Sequence, residues 1–567
     1  MSQVSDRFAR AVAAVPPPGG WPVPRMSLAV IVTACLAWCA LTPAVARNSA
    51  PSPTPALVKT TAVPTAAGPV IGFRNGAADW FLGIPYAAPP VDDLRWRPPV
   101  PPRKWSEPRD ATAFGGWCMQ VAPEGFSKPT LNEDCLYLNV VAPRDALLRK
   151  KKRAVMIWIH GGGARQGRSN DYDPTPLVEQ GDVIFVSMNY RLNILGFLAH
   201  PALDGEGHAF ANYGLMDQQF AMAWVRDNIA AFGGDPDNVT IIGESSGGAN
   251  VFNHLASPPS ATLFHRAIVE SGSLWYGGFA PFYDGVPLDQ AEKSGSEVAE
   301  ILNCTDQADA SCLRRAAVAA LADAIRKVPT YSFGVVVDGA VMPRSTRDAL
   351  SSGAFVHVPI INGTNHDEWT WVEGLNEARA GHVLAEGDMT KNLEGTYGKH
   401  AGGIVGSYPP SAFNGSAGAA SARAVTDGLF VCPLLALNNV IAKYTNVWGF
   451  EFKDANAPYP FQKASFPYGA AHTLEMGYIF KNYTGAVGQL KGLSPDQVAL
   501  SAEMVRYWTT FAKVGNPNAS GARYWPALNE RDAYLSLVPP RPTLAKSSDI
   551  AKEHRCGSVW PDPVAQP

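Results

Sequence analysis

Charged side chains are sparse in this chain, at 17% of 567 residues, and the two signs nearly cancel to a net charge of −3. A protein that holds nucleic acid through its phosphates needs a basic surface, so a balance this close to neutral, with a pI near 6.4, excludes that class of partner. The one basic run, Arg149 to Arg153, lies in a turn before an apolar stretch and reads as a solvated loop. No internal repeat, heptad pattern or metal-ligand cluster stands out, so neither a solenoid nor a coiled coil is expected, and neither metal nor cofactor. The apolar stretch from Leu28 to Leu41 is shorter than the roughly 20 residues a membrane helix needs. Cysteine is scarce as well: of eight, Cys35 and Cys39 fall near the N-terminus, leaving an even six.

What is present begins with a leader. Arg25, the apolar stretch and Ala44-Val45-Ala46 have the order of a signal peptide over residues 1–46, with Met26 as an alternative start. The expected location is secreted or periplasmic, with no transmembrane span in the mature protein. Val32-Thr33-Ala34-Cys35 offers lipoprotein anchoring as the weaker alternative. Residues 47–69, rich in Pro, Ala and Thr, read as a disordered linker, and a single folded domain is expected from 70 to 563. A hydrophobic content of 46% supplies a large core.

Phe232 to Gly248 carries the strongest local signal. The β-branched run Val239 to Ile242 leads into Gly243-Glu244-Ser245-Ser246-Gly247 and then a helical segment, the strand, sharp turn and helix of a nucleophile elbow with Ser245 at its apex. Ala154 to Ile159 reads as a buried strand ending in His160-Gly161-Gly162-Gly163, a pattern that supplies backbone N–H donors to a developing oxyanion. Pro359 to Gly363 reads as a further strand. Asp217 to Phe232 and Ser494 to Val514 read as long helices.

Together these segments resemble the type-B carboxylesterase and cholinesterase family. Glu133-Asp134-Cys135-Leu136-Tyr137-Leu138-Asn139-Val140 is similar to one family signature and Phe232 to Gly247 to the other; Phe81 to Ala87 and Leu94 to Pro99 are similar to its N-terminal blocks. The resemblance implies an α/β-hydrolase fold, a large, mostly parallel central sheet flanked by helices, in one catalytic domain with insertions. It implies a serine ester hydrolase that cleaves esters to acid and alcohol through an acyl-enzyme, with a small-molecule ester as partner.

The resemblance also assigns residues. Ser245 is the nucleophile, Glu368 in the Gly363-to-Glu368 block the acid, and His472 in Phe466 to His472 the base, with Asp367 and His366 as rivals. The amides of Gly162, Gly163 and Ser246 form the oxyanion hole. Glu244 and Ser271 support that network from behind, Glu244 being otherwise a solvated residue. The implied disulfides are Cys118–Cys135, Cys304–Cys312 and Cys432–Cys556, one of 15 pairings that six cysteines allow. Ala164 and Trp369 depart from the family's aromatic and glycine. The absence of tryptophan between Cys118 and Cys135 argues against a cholinesterase. Trp275 and Tyr276 line the acyl side or pack in the core. A specialised feruloyl, polyester or mycotoxin esterase is the enzymatic alternative. A non-catalytic adhesion module commonly loses the serine that this chain keeps. Oligomeric state, host and glycosylation at Asn482-Tyr483-Thr484 stay open.

Overall fold

Alternation along a seven-residue strand, Arg153–Ile159, distributes the core. Val155, Ile157 and Ile159 join one hydrophobic cluster, while Ala154, Met156 and Trp158 join another. Because successive side chains of a strand point to opposite faces, six successive apolar residues from Ala154 to Ile159 require cover on both sides of the sheet. The computed structural model describes residues 57–121, 129–148, 152–274, 283–328, 333–483 and 492–560. The leader with Cys35, residues 47–56 of the linker, residues 149–151 of the basic run, Trp275, Tyr276, Thr484 and the domain's expected end at 563 lie outside them.

Eleven strands form the main sheet: β1 (Phe73–Asn75), β2 (Ala78–Pro85), β3 (Tyr137–Pro143), β4 (Arg153–Ile159), β5 (Ile184–Met188), β6 (Gly234–Glu244), β7 (Arg266–Glu270), β8 (Ile360–Asn365), β9 (Val447–Phe452), β10 (Tyr534–Leu537) and β11 (Thr543–Ala545). Their spatial order is β1-β2-β3-β5-β4-β6-β7-β8-β9-β10-β11. Pairing is parallel from β5 through β10 and antiparallel at both edges, the largely parallel α/β arrangement expected.

The strands β4, β6, β7 and β8 are adjacent and parallel, so their carboxyl ends share one edge of the sheet. His160, Ser245, Ser271 and His366 each follow one of those ends. In open parallel sheets this edge is where ligands bind.

Helices α1 (Tyr213–Asn228), α2 (Ser246–Ala256), α3 (Thr370–Ala380), α4 (Ala417–Thr426), α5 (Cys432–Ile441), α6 (Pro495–Val514) and α7 (Ser547–Glu553) position the site. Helix α1 starts four residues before the expected Asp217 and passes into a 3-10 turn, Ile229–Phe232, stopped by Gly233 at φ 86°. The Ser494 signal is realised as a capping box: Ser494 Oγ accepts from Gln497 N while Gln497 Oε1 accepts from Ser494 N. The stretch Ala417–Ile441 is long and apolar enough to cross a membrane, but 78% of its apolar window is buried inside the protein. Core packing accounts for its composition.

One boundary differs from expectation. Residues 57–69 are part of the fold rather than a disordered linker: Val63 is buried and bridges Val70, and Thr60 N donates to Gly72 O at 3.0 Å. Composition alone missed the single buried valine that anchors this segment. The six described cysteines are joined as Cys118–Cys135, Cys304–Cys312 and Cys432–Cys556.

Two of the similar sequence blocks meet through charge. Arg95 Nε and Nη2 grip Glu133 at 2.7 Å each, and Nη1 donates to Arg314 O and Ala316 O. Both side chains are buried. Glu133→Gln leaves the guanidinium buried without its counter-charge and lowers the unfolding free energy by about 3–5 kcal/mol, read as an earlier urea midpoint at unchanged m-value.

Candidate active site

The elbow is built by close backbone approach. A Cβ on Gly247 would lie 2.0 Å from Ile159 O, so only glycine lets the turn after Ser245 press against the end of β4. Ser245 is held at φ 57° and ψ −126°, a region side chains rarely adopt, and its amide donates to Glu270 O at 2.9 Å. Such strain persists where the surrounding structure enforces it, which is common at reactive turns.

The glycine loop after β4 is tied to this elbow. Ala164 N donates to Ser246 Oγ at 3.1 Å. Gly162 takes φ 109° and Gly163 φ 70°. Among the described residues, the amides of Gly162, Gly163 and Ser246 donate to no protein acceptor, which leaves three N–H groups uncommitted beside Ser245. Burial makes His160 a weak base, lowering its pKa to about 4, and its ring stacks on Tyr190 at 4.4 Å.

The second half of the site is stitched from the loop after β8 and residues 468–472. Thr370 Oγ1 donates to Tyr468 O, Asn365 Nδ2 to Ala471 O, and His472 N to Glu368 O. Within this frame His472 Nδ1 lies 2.5 Å from Glu368 Oε2, and Glu368 Oε1 accepts from Asn365 N and Thr364 Oγ1. Phe430 and Trp371 flank the imidazole. Of the two neighbouring acids, Glu368 meets His472; Asp367 turns away to Arg423 and to His366, the rival base.

His472 Nε2 faces the elbow, 3.2 Å from Oε1 of Glu244, the residue preceding Ser245. Ser245 Oγ makes no hydrogen bond among the described residues. Glu244 is buried rather than solvated, and burial, with Glu368 and Glu270 nearby, pushes its pKa well up. Burial disfavours charge on His472, but the Glu368 carboxylate outweighs it and raises the pKa.

Two further buried acids surround this pair. Glu270 accepts from Trp508 Nε1, and burial raises it to about 8. Glu475 accepts from Asn365 Nδ2 and is pushed well up by burial and by Glu244. Sequence reasoning missed Glu475, Asn365 and Thr364; the available signal was a lone glutamate in the apolar run Ala470 to Ile479. Ser271 stands apart from its expected supporting place. Its buried hydroxyl has no partner among the described residues, and it joins the site through its amide, which donates to Gly363 O. A pocket lined by Ser271, Thr364, Phe430, Leu434 and Leu437 opens here.

Comparison with known proteins identifies the scaffold. Residues 59–557 match the carboxylesterase family. Para-nitrobenzyl esterase of Bacillus subtilis is 34% identical, over 87% of this chain and 98% of the relative. Fumonisin B1 esterase of Sphingopyxis macrogoltabida is 34% identical over 83% and 85% respectively. A carboxylesterase structure from Geobacillus stearothermophilus superposes with a TM-score of 0.73 at 32% identity, covering 88% of this chain and all of the other. A serine at a strained turn, uncommitted amides beside it and an acid–imidazole pair thus lie on a scaffold shared along nearly its whole length, and the chain belongs to the carboxylesterase family.

Proposed function

We propose that Ser245, His472 and Glu368 carry out the family's ester hydrolysis, with the amides of Gly162, Gly163 and Ser246 as the oxyanion hole. His472 Nε2 takes the Ser245 proton as Oγ attacks the ester carbonyl, and returns it to the departing alcohol. Water then repeats the sequence on the acyl-enzyme. Glu368 holds the imidazole tautomer through Nδ1 and stabilises the charge that develops. The observation that carries this reading is the buried 2.5 Å contact between His472 and Glu368 at the strand edge that also presents Ser245.

The esters in the relatives' names differ widely, so the acyl and alcohol groups accepted here are set by the loops lining the pocket. A small-molecule ester is the substrate class; a fumonisin ester, as in one relative's name, is the more specialised reading. Export through the 1–46 leader is supported by three disulfides among the described residues, since such bonds persist in oxidising compartments.

Ser245→Ala lowers kcat on p-nitrophenyl acetate by about 10⁴- to 10⁶-fold and abolishes labelling by a fluorophosphonate probe; undiminished hydrolysis overturns the assignment. Glu368→Gln costs roughly 10³- to 10⁴-fold. Because the carboxylate raises the His472 pKa and the base must be neutral, the acid limb of the residual kcat/KM profile moves to lower pH in this variant. At Gly162 a Cβ would meet Gln166 O at 2.2 Å, so Gly162→Ala displaces the amide and lowers kcat more than KM. The expected loss is about 100- to 1,000-fold, read from initial rates.

A further inference from the structure

Behind the Glu368–His472 pair lies a closed ring of alternating basic and acidic side chains that the proposed chemistry does not use. His366 Nδ1 meets Asp367 Oδ1 at 2.9 Å, and Asp367 meets Arg423 at 3.2 Å. Arg423 is 3.8 Å from Asp427, which meets His554 Nδ1 at 2.6 Å. His554 Nε2 meets Glu451 at 3.0 Å, and Glu451 is 3.7 Å from Lys453. Lys453 meets Glu553 at 2.5 Å, and Glu553 returns to His366 Nε2 at 2.9 Å. Tyr408 joins from outside, donating to Asp427 Oδ2. Both nitrogens of each imidazole already face carboxylate oxygens. A cation would find no free ring nitrogen there.

The ring draws on four parts of the chain: the loop after β8, helix α4 with its continuation, the end of β9, and the C-terminal segment at α7. The last is tethered by Cys432–Cys556. One member reaches the site. Asp367 Oδ2 accepts from Ala470 N at 3.0 Å, and Asp367 N donates to Ala470 O at 3.1 Å, two residues before His472. The approach is tight enough that a Cβ on Gly469 would lie 2.2 Å from Asp367 Oδ2.

We infer that His366 and Asp367, locked by the ring and by the C-terminal segment, are positioning residues whose charges hold the His472 loop in register with Glu368. This rests on the reading of His472 and Glu368 as base and acid. A displacement of about 1 Å at a reacting group can cost on the order of 100-fold in rate, and Asp367 is the member of the ring bound directly to the loop that carries the base. Burial acts against charge on His366, but hydrogen bonds to Asp367 and Glu553 outweigh it and place its pKa at about 9. Relative to an ordinary 6.5, that raised value favours the clasped state fully below about 6.5 and is lost as pH rises through about 9. For Asp367 burial works upward, yet His366 and Arg423 bring it down to about 2. Its contribution is present throughout neutral and alkaline conditions. The clasp therefore opens on the alkaline side, when His366 loses its proton.

The test follows kcat and KM for a short-chain alkyl ester by pH-stat from neutral to strongly alkaline pH. The wild type is expected to lose kcat around pH 9, with KM little changed. His366→Gln, uncharged at every pH, lowers neutral kcat roughly 10- to 100-fold and removes that alkaline fall. Glu553→Gln, on the half-exposed rim, lowers the His366 pKa and moves the fall to lower pH, which a merely structural role would not do. If His366→Gln does not fold, the Glu553→Gln shift decides. A fall at the same pH in the wild type and Glu553→Gln, or the absence of any fall in the wild type, overturns the clasp. Ser245→Ala distinguishes the two failures: an active Ser245→Ala protein defeats the site assignment itself, whereas an inactive one with unshifted profiles defeats only the clasp.

Discussion

A carboxylate and an imidazole at 2.5 Å, both buried, set the terms for the surrounding site. Burial alone would disfavour charge on His472. The contact with Glu368 reverses that tendency for the imidazole, while the same burial pushes the pKa of the nearby Glu244, Glu270 and Glu475 up. Low dielectric strengthens both effects, the pairing and the cost of leaving a charge unpaired.

That contact exists only because two segments about a hundred residues apart in sequence are held at one edge of the sheet. The loop after β8 and residues 468–472 exchange main-chain and side-chain hydrogen bonds through Asn365, Asp367, Glu368 and Thr370. The elbow and the glycine loop arrive by a different route, through contacts so short that glycine is required. The proposed chemistry and the charged ring behind it meet at neighbouring residues, Glu368 facing the imidazole and Asp367 facing the ring.

Much of this was legible along the chain. The strand-to-glycine transitions at Ile159 and Glu244 mark the ends of β4 and β6, because alternation, β-branching and glycine all constrain local backbone. The helix stops at Gly233 and Gly515 and the cap at Ser494 follow from the same local rules. Glu368 against Asp367 was not decidable locally, since adjacent acids differ only in the direction in which the fold turns them. Ser271 was expected behind the acid network and instead presents an unpartnered hydroxyl, and Glu475 was passed over because an isolated glutamate carries no spacing signal. The buried Val63, in a segment that composition marks as linker, shows the same limit in the fold.

The order of residues by itself determined which segments become strands and tight turns, and, through several specific blocks, the family they resemble. Those are properties of short-range sterics and of apolar period, which a local stretch contains in full. Only the tertiary structure decided which carboxyl faces His472, which acids are buried together, and how the C-terminal segment closes a charged ring with the loop after β8. Such choices depend on burial and on partners tens to hundreds of residues away, and both arise only once the chain has closed on itself.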